Sequence, residues 1–138
     1  MAKVSILTPT NSPLELPIVT SKVPAGFPSP AEEYLGDTLD LNQIMVDNPT
    51  ATFFARVQGE SMTTTIFPDD ILVVDRSVSP KHGSVVVAIV NNEFTVKRLN
   101  MNDGLTLVSD NPDYEPIRIT GEMDLTVWGV VTGISRKL

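Results

Sequence analysis

Six consecutive apolar residues, Val85–Val90, run into Asn91-Asn92 and then into Glu93–Leu99. Two strand-like runs separated by two residues that tolerate positive φ predict a tight β-hairpin. A continuous apolar run of this length predicts a strand buried on both faces. A chain organised around such a hairpin has to build a sheet on either side of it. Thr52–Val57 and Ile71–Asp75 read as further strands, the second introduced by the turn sequence Pro68-Asp69-Asp70. Leu105–Ser109, Ile117–Ile119 and Leu125–Ser135 complete the set, with Gly129 and Gly133 marking bends or bulges in the last of them. Short strands at this spacing predict a mostly β domain with a rolled or partly closed sheet.

The N-terminal residues differ. Six of the eleven prolines, Pro9, Pro13, Pro17, Pro24, Pro28 and Pro30, lie in residues 1–30. Proline removes a backbone donor and disfavours helix at the residue before it. Residues 1 to about 25 therefore read as an extended, mobile arm, and residues 26–138 as the folded domain. Residues 31–48 carry the helical signal. Ser29 as cap, Pro30 in the first turn and Glu32 at capping-box spacing predict a short helix that stops near Leu35 or Gly36. A second helical turn is expected over Asp40–Met45, with Asp40 as its cap.

The chain has 138 residues, no cysteine and one histidine, His82. Disulfides and thiolate metal sites are excluded, a multi-histidine metal site has no ligands, and no cofactor is expected. The formal charge is -7, which opposes direct duplex binding, since that rests on Lys and Arg neutralising phosphates. No apolar run approaches the roughly 20 residues needed to span a bilayer, and no signal peptide is visible, so a cytoplasmic location is expected.

Three weak signals bear on chemistry. Gly59-Glu60-Ser61-Met62 follows a strand and precedes Thr63-Thr64-Thr65. A serine there, beside a glycine, can be exposed with backbone N–H groups around it, which suits a nucleophile. The same geometry belongs to many inert loop serines. Lys97 is the second. Alternation puts Thr95, Lys97 and Leu99 on one face, and a two-residue turn at Asn91-Asn92 sets Val86 opposite Lys97. Burial there lowers a lysine pKa from about 10.4. A value of roughly 7–8 would make the amine a general base. The plain alternative is a surface lysine on an edge strand. Third, Val23-Pro24-Ala25-Gly26-Phe27 sets a small-residue pair in a proline-flanked stretch, a segment a protease can engage and also an ordinary linker. His82 is expected in a turn, Arg98 on the face opposite Lys97, and Trp128 in the core or a dimer contact.

These segments together resemble one family. Ala25-Gly26-Phe27-Pro28-Ser29-Pro30-Ala31, Leu39-Asp40-Leu41-Asn42-Gln43, Gly59-Glu60-Ser61-Met62, His82-Gly83, Glu93-Phe94-Thr95-Val96-Lys97 and Val127-Trp128-Gly129-Val130-Val131 are similar to the corresponding segments of UmuD-type proteins, within the LexA-like Ser–Lys autoproteases. The resemblance runs from about Pro24 to the C-terminus, with Ala25 where UmuD has cysteine. It implies a LexA/signal-peptidase-like fold and self-cleavage between Ala25 and Gly26, with Ser61 as nucleophile and Lys97 as general base. It also implies stimulation by a RecA–single-stranded DNA filament. The product beginning at Gly26 would be a homodimeric accessory subunit of a UmuC-like Y-family polymerase (translesion DNA polymerase V) in the SOS response.

Three rival readings exist. A non-catalytic polymerase-interaction module would retain Ser61 and Lys97 as relics. A LexA-type repressor needs a DNA-binding domain, for which the roughly 25 residues before the cut have neither the length nor the helical pattern. A signal peptidase shares the chemistry but needs a membrane anchor.

Overall fold

A computed structural model describes residues 4–7, 13–19 and 35–138. In chain order the elements are β1 (Val4–Leu7), β2 (Leu16–Val19), β3 (Leu35–Leu39), α1 (Leu41–Met45), a 3-10 turn at Pro49–Ala51, β4 (Thr52–Val57), β5 (Ile71–Asp75), β6 (Val85–Val90), β7 (Glu93–Asn100), β8 (Thr106–Val108), β9 (Ile117–Arg118) and β10 (Leu125–Ser135). The chain divides into two units, Met1–Pro9 with Val46–Leu138 and, separately, Thr10–Met45.

The larger unit holds an eight-stranded sheet in the order β1-β4-β5-β10-β6-β7-β8-β9. Every pairing in it is antiparallel. Strand β1 also approaches β7, so the sheet curls into a half-barrel, in line with the rolled sheet expected. Asn91 and Asn92 have φ of 47° and 69°, the left-handed pair that a two-residue hairpin requires. The register runs from Val90 opposite Glu93 down to Val86 opposite Lys97, as the turn predicted.

Strand β10 joins the two halves of the sheet. Its first part, from Leu125, pairs with β6 and its second, from Val130, with β5. The pairing shifts register between Val127 and Gly129 on one side and between Val131 and Gly133 on the other, so both expected irregularities fall at the glycines. A Cβ on Gly129 would lie 2.6 Å from Val74 Cγ1, which leaves no room for a side chain.

The core forms on both faces of β6. Val87 packs with Ala55, Val57, Met62, Ile66, Leu72, Val74 and Val96, while Val86, Ala88 and Val90 pack with Leu99, Leu107 and Val130. Trp128 is partly buried at the edge of the first cluster. Its ring meets Phe53 and Phe94 edge-on at 5.3 and 6.0 Å, with the Arg76 guanidinium 4.4 Å above it. These contacts make it a packing residue.

In the smaller unit, Leu35–Leu39 is strand β3, paired antiparallel with β2, an element the sequence reading does not assign. Gly36 is a poor helix former and Thr38 is β-branched, and the strand 16–19 offers a hydrogen-bonding edge that local capping rules do not consider. The helix expected before it, with its cap and capping box at residues 29–32, lies outside the described residues. The second helical turn is present as α1, and Asp40 caps it. Its Oδ1 accepts from Asn42 N at 3.0 Å and its Oδ2 from Leu14 N at 3.3 Å. Of the first 25 residues, Val4–Leu7 and Leu16–Val19 are extended, each hydrogen-bonded to a neighbouring strand.

Candidate active site

Ser61 sits in the loop that leaves β4 at Val57 and returns at Ile71. Asp69 N donates to Val57 O at 2.8 Å and Val57 N to Asp70 O at 3.1 Å, so the loop is closed at its base. Gly59 turns the chain with φ 93°, a conformation open to glycine. Met62 and Ile66 are buried in the core, and Ile66 N donates to Met62 O at 2.8 Å. Two core anchors and a closed base hold the segment between them in one shape.

Lys97 comes from the middle of β7 and shares its register position with Val86. Its Nζ lies 2.8 Å from Ser61 Oγ and 3.2 Å from the carbonyl of Val96. Lys97 is 3% exposed and Ser61 2%. A serine that the sequence suggests can be exposed is buried, because Met62 and Ile66 draw its loop onto the sheet. Burial holds the Lys97 pKa below its ordinary 10.5, since a desolvated ammonium loses hydration that the site does not replace. Among the described residues, the ion pairs go to Arg98 and Arg136 rather than to Lys97. A buried amine of depressed pKa at hydrogen-bond distance from a hydroxyl can take that hydroxyl's proton.

Arg98, the next residue along β7, engages Asp110 through Nε at 2.9 Å and Nη2 at 2.8 Å and donates to Gly83 O at 2.8 Å. Its charge is thereby matched, and the guanidinium holds the Asp110 carboxyl below the usual range. His82 lies in the turn before β6, where its Nδ1 accepts from Met101 N at 3.0 Å, the loop role expected of it. Ala25 and Gly26 lie outside the described residues.

The sequence reading missed two supports of the loop. Asp70, 1% exposed, accepts from Arg136 Nε and Nη2, both at 2.6 Å, and from Phe67 N at 2.8 Å. Arg136 also stacks over the Phe67 ring at 4.7 Å. On the other side, Asn111 N donates to Ser61 O at 3.1 Å. Both supports link residues remote in sequence, and Asp110-Asn111-Pro112 reads locally as nothing more than a turn.

Residues 17–132 match the peptidase S24-like family, a span that contains Ser61 and Lys97. The chain belongs to that family. It is 44% identical to Protein MucA of Salmonella typhimurium over 119 residues, covering 85% of this chain and 82% of that protein. It is 42% identical to Protein ImpA of Salmonella typhimurium over 124 residues, covering 88% and 83%. It is also 36% identical to LexA repressor 1 of Geobacter sulfurreducens over 138 residues, covering 98% and 67%. The UmuD-like resemblance read from the residues thus holds, and the mostly β half-barrel fits an S24-like chain. Membership places the protein in a LexA-like family of serine peptidases. Among the described residues no helix is long and apolar enough to cross a membrane.

Proposed function

We propose that this chain is a self-cleaving serine protease that cuts its own N-terminal arm, residues 1–25, between Ala25 and Gly26. Ser61 Oγ attacks the carbonyl carbon of Ala25 while neutral Lys97 takes the hydroxyl proton. The tetrahedral intermediate collapses with rupture of the Ala25–Gly26 bond, and Lys97 passes its proton to the leaving amine of Gly26. Water, deprotonated by Lys97, then attacks the ester and frees Ala25 as a carboxylate, with the proton returned to Ser61. The alanine side chain takes no part in bond making, so its presence where UmuD has cysteine alters only how the pocket is filled.

The observation that carries this reading is the 2.8 Å approach of Lys97 Nζ to Ser61 Oγ in a buried setting. The UmuD resemblance extends the proposal to the cell. A RecA–single-stranded DNA filament accelerates the cut, and the product from Gly26 onward forms a homodimer that serves a UmuC-like Y-family polymerase in translesion synthesis during the SOS response.

Intact-mass spectrometry of the purified chain over time at alkaline pH, with and without an activated RecA filament, tests it against Ser61→Ala. A fragment starting at Gly26, formed by the parent alone and faster with the filament, is the expected result. A parent chain that stays whole under every condition would leave a polymerase-interaction module without protease activity.

A further inference from the structure

The residues that follow β8 run alongside the Ser61 loop and grip it repeatedly. Asn111 N donates to Ser61 O at 3.1 Å. Asn111 Nδ2 donates to Glu60 O at 3.1 Å and to Thr63 Oγ1 at 3.0 Å, while its Oδ1 accepts from Asp113 N at 2.9 Å. Both halves of the amide are thus used, which fixes its orientation. Asp110 N donates to Met62 Sδ at 3.4 Å, and Asp110 Oδ2 accepts from Thr65 Oγ1 at 2.6 Å. Residues 60, 61, 62, 63 and 65 are therefore each held by Asp110 or Asn111. The Asp110 carboxylate that holds Thr65 is also the one that chelates Arg98. Arg98 is the backbone neighbour of Lys97, so a single side chain ties the loop of one reacting group to the strand of the other.

We propose that Asn111 and Asp110 are positioning residues that hold Ser61 in line with Lys97, an inference that rests on the self-cleavage reading. The Ser61–Met62 peptide is planar, so a hydrogen bond from Asn111 N to its carbonyl limits rotation of the backbone from which the Ser61 Cα–Cβ bond projects. The side-chain bonds of Asn111 fix the residues on either side. The Thr65–Asp110–Arg98 chain sets the distance between loop and strand. None of these groups touches the reacting atoms. Their effect is on the share of time that Oγ and Nζ spend at reactive distance, to which rates are steeply sensitive.

The test uses the full chain. Asn111→Asp keeps the shape and removes the donors to Glu60 O and Thr63 Oγ1. Thr65→Val keeps the shape of an exposed residue and removes its hydroxyl; Thr65→Ser restores it. The first-order rate of appearance of the Gly26 fragment is measured across pH, below the melting midpoint of every variant. Asn111→Asp is expected to lower the plateau rate about 100-fold and Thr65→Val roughly tenfold, at the parental pH midpoint, with cutting recovered in Thr65→Ser. Parental rates in Asn111→Asp, or equal losses in Thr65→Val and Thr65→Ser, overturn the proposal. If the parent itself makes no Ser61-dependent fragment, the self-cleavage reading fails on its own. Backbone amide exchange then decides the rest: faster exchange at residues 60–66 in Asn111→Asp, without global melting, supports the hold on the loop, and unchanged exchange removes it.

Discussion

The two groups that meet at the candidate site are delivered by regions built on opposite principles. Lys97 stands in the β6–β7 hairpin, whose turn and register arise from fewer than twenty contiguous residues. Ser61 stands in the loop between β4 and β5, which takes its shape from Asp110, Asn111 and Arg136, all remote in the chain. Local rules fix Lys97 to within one residue of register, because a slip would carry every side chain of β7 to the other face. No comparable periodicity governs the loop. Positioning Lys97 by register and Ser61 by clamps lets the loop be tuned without disturbing the sheet.

The comparison can be broken most sharply at Lys97. Lys97→Met keeps much of the shape and removes the amine. Cutting is expected to fall by about 10²–10⁴-fold, the range typical of losing a general base, and mass spectrometry reads it directly. The same variant is expected to melt higher than the parent. Because the folded-state pKa of Lys97 lies below 10.5, the unfolded chain holds more protons between that depressed value and 10.5, and parental stability rises with pH across that window. The gain in melting midpoint from Lys97→Met is therefore largest below the depressed pKa and fades as pH approaches 10.5. A gain that does not vary with pH would show that the amine carries no desolvation penalty.

The next largest effect is expected at the far side of the loop. Arg136→Met leaves the buried Asp70 carboxylate without its guanidinium, and the melting midpoint at neutral pH falls. Asp70 has a pKa below 3.8 in the folded state, chiefly through the hydrogen bonds from Arg136. The stability it contributes is complete above 3.8 and is lost as pH falls through the depressed value. Melting curves of parent and variant should converge in that acid range. Curves that stay parallel would mean that Arg136 acts by stacking on Phe67 alone.

The smallest effect sharpens the hairpin side. Asn91→Val forces a β-branched residue to φ 47°, at a cost of about 1–2 kcal/mol, while cutting per folded molecule is unchanged. A loss of rate beyond the loss of folded protein would mean that the turn and the site are coupled.

This contrast explains what was legible in the sequence. The bounds of β4, β5, β6 and β10, the Asn91-Asn92 turn, the pairing of Val86 with Lys97 and the irregularities at Gly129 and Gly133 follow from periodicity, turn chemistry and the special place of glycine in strands. Those rules act between neighbours. Leu35–Leu39 departs from them because a partner strand sixteen or more residues away supplies its hydrogen bonds. The burial of Ser61 departs because Met62 and Ile66 reach a core assembled from four other strands. The grip of Asn111 on Glu60, Ser61 and Thr63 connects segments about fifty residues apart, and no single-sequence pattern marks it.

The placement of β10 has a consequence in time. In the sheet, β5 and the strands before it are hydrogen-bonded to β6 and the strands after it through β10, and β10 is the last of them to leave a ribosome. Ser61 belongs to the first group and Lys97 to the second. Under the proposed self-cleavage, Ser61 and Lys97 are therefore expected to come together only after synthesis has passed Ser135.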